Sequence, residues 1–200
     1  MSTIIFRGGI EVENPLELAL EFLAAYSSYE AHDSSGPASF DESDLRQANR
    51  GGARISAAEI AAILERRGEI EGSLRRIGPG ASLTDTASSI PWIALTQLFD
   101  AFADIRGVGF SKMTKALHRK RPALIPMLDS VVQEYLTRDD PATSSSESFG
   151  ARATALVRSY KRDLDRNRSA LDELKRELAT RDYPLTKVRI LDLLIWSVNA

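Results

Sequence analysis

The sequence predicts an all-α fold, a single compact domain of eight or nine helices around a central helix-hairpin-helix. Three observations carry that expectation. Apolar residues recur at intervals of three and four, as in Leu95, Leu98, Phe99, Phe102 and Ile105, which lines one helix face and fits no strand. Helix-start and helix-stop residues punctuate the chain. Finally, 43% of the 200 residues are hydrophobic and 27% charged, enough apolar material for a core and too much for disorder.

The elements follow in order. Asn14-Pro15 opens a helix with Leu16, Leu20 and Leu23 on one face, ending near Tyr26. Residues 27–41 are rich in Ser, Gly, Pro and Asp and read as a loop. A short helix covers Glu42–Asn49 and stops at Gly51-Gly52. Ser56 and Glu59 have capping-box spacing, each side chain reaching an unpaired N–H at the helix start, and Gly68 closes that helix. Ile70, Leu74 and Ile77 mark another. Pro91 starts a helix running to Ile105, and after Arg106-Gly107-Val108-Gly109 a helix spans Phe110–Arg121. Pro126 opens the next, with Leu128, Val131, Val132 and Tyr135 facing inward, and residues 139–149 form a loop. From 150 to 180 one long helix carries Val157, Leu164, Leu171 and Leu178 at sevenfold spacing, with Tyr160, Asn167 and Leu174 as a second seam. That stripe suits packing across the chain's own domain, or a homodimer in which Asn167 sets the register. Thr186 caps a final helix, and a short strand is expected at Ile4–Phe6.

Composition excludes several chemistries. There is no cysteine, hence no disulfide, thiolate zinc site, iron–sulfur cluster or cysteine nucleophile. With only His32 and His118, a three-histidine metal site is impossible, and neither a metal nor another cofactor is expected. No apolar run reaches membrane-spanning length, and MSTIIFRGG is no signal peptide, so a cytoplasmic protein with no membrane partner is expected. The net charge of −2 conceals an asymmetry: residues 1–100 hold 8 Arg/Lys against 15 Asp/Glu, residues 101–200 hold 18 against 13. A basic half suits an anionic partner such as nucleic acid, and equally a set of solvated helix faces.

The most informative stretch is IRGVGFSKMTKALHRKRPALIPMLDSVVQEY, residues 105–135. Gly107, Val108 and Gly109 form a turn in which one glycine accommodates positive φ, and Gly109 is the one expected to resist a Cβ. The bare backbone and the N–H groups starting the next helix, around Ser111, suit a phosphate. Lys112, Lys115, His118, Arg119, Lys120 and Arg121 follow, and residues 105–121 contain no acid. This outlines a sequence-independent clamp on double-stranded DNA, or an ordinary αα-hairpin with a solvated basic face.

The run IRGVGFSKMTKAL…LIPMLDSVV resembles the core of the helix-hairpin-helix DNA glycosylase superfamily, over residues 92–136. The pattern KALHRKRPALIPMLDSVV and the terminal RILDLLIWS are also similar to an uncharacterised bacterial group of helical proteins with that core. The glycosylase resemblance implies DNA repair activity, with Asp129 as the catalytic carboxylate that stabilises a cationic sugar as the base leaves. Arg106 stands where that superfamily has proline, Pro126 and Asp129 are separated by two residues rather than one, and Ser111 occupies the Schiff-base lysine position. Lys112 lies about 100° round the helix, so the resemblance implies a monofunctional mechanism through Asp129. An aspartate at a helix start is equally explained as an N-cap, which leaves a non-catalytic DNA-binding or protein-interaction module as the alternative. Trp92 and Trp196 read as core residues, with base stacking the lesser reading. Arg189 and Asp192 read as a structural pair.

Overall fold

Helical periodicity becomes ten α-helices in the computed structural model, which describes residues 3–30, 36–138 and 147–200. They are α1 (Pro15–Glu30), α2 (Glu42–Arg50), α3 (Ala57–Glu65), α4 (Arg67–Arg76), α5 (Trp92–Asp100), α6 (Phe110–His118), α7 (Ser130–Thr137), α8 (Phe149–Arg166), α9 (Arg168–Ala179) and α10 (Lys187–Asn199). The fold is all-α apart from a two-stranded ribbon, β1 (Ile4–Ile5) antiparallel to β2 (Glu11–Val12), with Ile4 opposite Val12. His32 and most of the expected 139–149 loop lie outside the described residues.

Several boundaries differ from the sequence reading, each for a local reason. The first helix continues to Glu30 across a kink at Tyr26 (φ −122°, ψ 25°). The break between α3 and α4 falls at Arg66, and Gly68 lies inside α4. The helix expected from Pro126 begins only at Ser130. Met127 N–H is held by the Asp192 carboxylate at 3.1 Å and Leu128 N–H by the Thr114 hydroxyl at 2.9 Å, so these donors are tied to neighbouring elements before α7 starts. The long 150–180 helix is two helices. Asn167 (φ −101°, ψ 14°) interrupts it because its side-chain amide is drawn sideways to β1: Ile5 N–H donates to Asn167 Oδ1 at 2.7 Å, and Asn167 Nδ2 donates to the Ile5 carbonyl at 2.9 Å. The heptad stripe is buried in the chain's own core: Val157, Tyr160, Leu171, Leu174 and Leu178 are fully enclosed, and Asn167 is 3% exposed. A dimer has no exposed apolar seam there to use.

Packing centres on α10. Ile190, Leu191, Leu193, Leu194 and Ile195 are all buried, and the helix contacts α1, α7, α8 and α9. A helix enclosed on so many sides holds its polar residues in place as rigidly as its apolar ones. The α5–α8 pair packs at close range because Gly150 lacks a Cβ, which would meet the Thr96 carbonyl and Asp100. Instead Asp100 Oδ1 accepts the Gly150 N–H at 2.6 Å and helps Ser148 cap α8. The N-terminal ribbon is locked by Arg7, which is 7% exposed. Its guanidinium meets Asp163 at 2.8 Å, the Leu136 carbonyl at 2.6 Å and the Ser159 hydroxyl at 2.7 Å. Burial raises the Asp163 carboxyl above its ordinary value, against the pull of Arg7.

Candidate functional site

A glycine-bearing turn does join α5 to α6, with the glycine roles reversed from the expectation. After α5 the chain turns through Asp104 (φ 61°) and Gly107 (φ 84°). Gly109, expected to be the constrained one, has φ −100° and ψ −173°, an extended N-cap conformation open to any residue, and a Cβ there would meet nothing. At Gly107 a Cβ would both oppose the positive φ and strike the Glu59 carboxylate. Glu59, at the start of α3, joins that helix to the hairpin: it accepts the Ser56 N–H at 2.8 Å and both of its oxygens meet Lys112 Nζ, at 2.7 and 2.8 Å. Gly107→Ala is therefore expected to destabilise by more than about 1 kcal/mol. Gly109→Ala should stay within about 0.5 kcal/mol of the parent. Urea unfolding of the two variants checks both.

Half of the basic run turns inward, His118, Lys120 and Arg121 being buried, which corrects the expectation of a wholly solvent-facing clamp. Lys120 is buried in an ion pair with Asp44 of α2 at 2.7 Å. Arg121, 1% exposed, donates to the carbonyls of Leu74, Ile77 (2.6 Å), Pro37 (2.7 Å) and Lys120 (2.6 Å), satisfying the end of α4. His118 is buried with Nδ1 2.6 Å from the Ile125 carbonyl, and burial holds its pKa down to about 3; it stays neutral and makes no phosphate contact. Lys112 is matched by Glu59. Val108 is buried, while Ser111 and Arg119 are half-buried. Gly109 N-caps α6 without a side-chain hydrogen bond.

Lys115 and Asp129 instead both line a cleft of about 190 Å³. Its walls come from four directions: Phe22 and Tyr26 of α1, the Gly51-Gly52 turn, Lys115 of α6 with Met127, Asp129 and Val132 near α7, and Arg189, Asp192 and Trp196 of α10. The three aromatic rings form one cluster, with Trp196 5.4 Å from Phe22 and 5.5 Å from Tyr26, both edge-on. The Arg189 guanidinium lies 5.3 Å from the Phe22 ring centre. Asp129 is the N-cap of α7, its Oδ1 accepting the Val132 N–H at 3.1 Å, and it borders the cleft as well. Burial lowers the Lys115 ammonium below its ordinary value, with Asp129 opposing the shift.

Asp192, read as the structural partner of Arg189, borders the same cleft. It is 2% exposed; Oδ2 accepts the Met127 N–H, and Oδ1 has no hydrogen-bond partner. Its place inside Ile-Leu-Asp-Leu-Leu-Ile accounts for the burial, since a carboxylate amid such neighbours leaves water with them. Trp196, read as core, lines the cleft, whereas Trp92 packs under Arg158 at 4.1 Å and donates to the Ala87 carbonyl. Among the described residues no group of three or more His, Asp or Glu side chains is arranged to hold a metal ion, and no described helix is long and apolar enough to cross a membrane.

Fold and site together define an all-α protein with an aromatic-walled, carboxylate-bearing cleft. The chain belongs to a family of unknown function (DUF6308), whose pattern matches residues 20–199 and so takes in every wall of the cleft. Neither the curated proteins nor the solved structures include a match to it.

Proposed function

We propose that the protein hydrolyses an N-glycosidic bond in DNA, with the cleft taking the base, Asp129 facing the sugar, and the hairpin seating an adjoining phosphate. The observation that carries this is Asp129, which borders an aromatic-walled cleft while its other role, capping α7, fixes its direction. An apolar cavity of ~150 Å³ holds benzene, so about 190 Å³ accommodates a planar ring against the cluster of Phe22, Tyr26 and Trp196. As the C1′–N bond breaks, positive charge develops on the sugar, and a fixed carboxylate beside it lowers that barrier. Water then bonds to C1′, its proton passes to Asp129, and the departing base takes up a proton. Base access requires the nucleotide to leave the stack.

With Lys120 and Arg121 enclosed and Lys112 paired with Glu59, phosphate contact falls to the α6 N–H groups and the exposed Arg106. Binding to duplex DNA is expected to show a shallow salt dependence, about one to two counterions released. A slope near that of five or six contacts would place the interface elsewhere. The second reading, a non-catalytic module in which Asp129 only caps, is favoured by its bond to Val132. Single-turnover excision on duplexes with deaminated, oxidised and alkylated bases separates the two. Asp129→Asn should keep the fold within about 1 kcal/mol and lose excision about 10²-fold or more. Excision that survives the substitution, or none by the parent protein on any duplex, defeats the catalytic reading.

A further inference from the structure

The carboxyl of Asp192 is unexplained by packing. It is 2% exposed, yet only one of its oxygens is hydrogen-bonded, and a buried polar atom without a partner is destabilising. The nearest hydroxyl does not relieve it, because Tyr160 gives its proton to the Val188 carbonyl at 2.6 Å. Asp192 is nevertheless part of the cleft wall, with Asp129, Lys115 and Arg189.

We propose that Asp192 is the base-recognising group of the cleft: its Oδ1 pairs with a ring nitrogen or carbonyl of a neutral, planar heterocycle stacked on Trp196 and Phe22. This deepens the proposed function, and rests on it for the heterocycle being part of a nucleotide. To pair with an acceptor the carboxyl must carry a proton. Burial pushes Asp192 up to about 8, against the pull of Arg189 and the Met127 N–H, and the like charge of Asp129 adds to the rise. At neutral pH it is a donor, while the half-buried Asp129 stands beside it with its own helix-capping partner. Two carboxyls held in different environments divide the acid and base roles. Asp192 gives the leaving base the proton it needs as the glycosidic bond breaks, and Asp129 faces the developing sugar cation.

The same charges select the ligand. Lys115 and Arg189 already border the cleft, with the Arg189 guanidinium against the Phe22 ring, so a cationic heterocycle meets like charge where an aromatic wall would otherwise attract it. A neutral base, poor as a leaving group until protonated, is the class that gains most from Asp192; an alkylated cationic base needs no such donor.

The test is calorimetric titration of the full chain with adenine, hypoxanthine and N-methylquinolinium, a bicyclic cation with its ring nitrogen blocked. Adenine or hypoxanthine should bind saturably at pH 6.5 and about tenfold more weakly by pH 9.5. N-methylquinolinium should bind at least tenfold more weakly than either. Asp192→Asn, which keeps an N–H donor but cannot titrate, should bind with no pH dependence. Asp192→Leu should lose about tenfold or more. Should the leucine variant fail to fold, the flat profile of the asparagine variant still decides. Absence of saturable binding by both purines, equal affinity for the cation, or an unchanged pH profile in Asp192→Asn overturns the assignment. Purine binding as stated without excision of any base leaves this site standing and removes the glycosidase reading. Excision without purine binding does the reverse.

Discussion

Replacing Asp44 by leucine is expected to destabilise the protein by about 3–5 kcal/mol. Asp44 and Lys120 meet at 2.7 Å with their side chains 2% and 0% exposed, so removing the carboxylate strands an ammonium inside the protein. Asp44 also accepts the Asp41 N–H at 2.9 Å in the α2 capping box, which adds to the loss. The second change, Lys120→Met in the same chain, should restore most of the stability, because the expense of a broken buried pair lies in the unmatched charge and not in the missing attraction. Urea unfolding of both single variants and the double variant measures this coupling. Near-additive effects would mean that water reaches the pair and that the basic run is less internal than its burial indicates.

Acid should unfold the protein through His118. The folded pKa is about 3 and the unfolded one ~6.5, so the unfolded chain binds the extra proton. This contribution is intact above pH 6.5 and falls away as the pH drops toward 3, with a loss of about 5 kcal/mol at the acid limit. His118→Asn keeps an N–H donor for the Ile125 carbonyl and has no proton to gain, so its acid limb should flatten. Asp192 works in the opposite direction. Its folded pKa is about 8 against an ordinary 3.8, so its contribution is complete below 3.8 and is lost as the pH rises through 8. Asp192→Asn should therefore be more stable than the parent near pH 8 and no more stable near pH 4. Unfolding midpoints from pH 3.5 to 9 on the three proteins test both limbs, and a parent profile unaltered by either substitution would contradict both burials.

Periodicity and caps made the helices legible: Ser56 with Glu59, Thr186 and Pro15 all act where their types place them. What they could not convey was long-range capture. Asn167 reads as a heptad position because the residue that bends it, Ile5, is 162 positions away. The same limit applies to the site. Lys120, Arg121 and His118 read as a surface because solvated lysines and lysines enclosed by a distant aspartate look alike in sequence. Asp129 was visible from its neighbours. Its cleft was not, since the walls are drawn from α1, the Gly51-Gly52 turn and α10, and only the fold brings them to α6.

The link between Ile5 and Asn167, reinforced by Arg7 with Asp163, also fixes a moment in the protein's synthesis. The first strand of the ribbon has both peptide groups of Ile5 answered by a side chain in the last third of the chain. At ~5–20 residues per second, a ribosome needs roughly 8–30 s after making Ile5 before Asn167 exists. For that interval the peptide groups of Ile5 lack their Asn167 partner, although Tyr135, on which Phe6 packs, is made sooner. The nascent ribbon thus stays open until then, and a pulse of protease during translation should nick it before the α8–α9 junction has emerged and seldom afterwards.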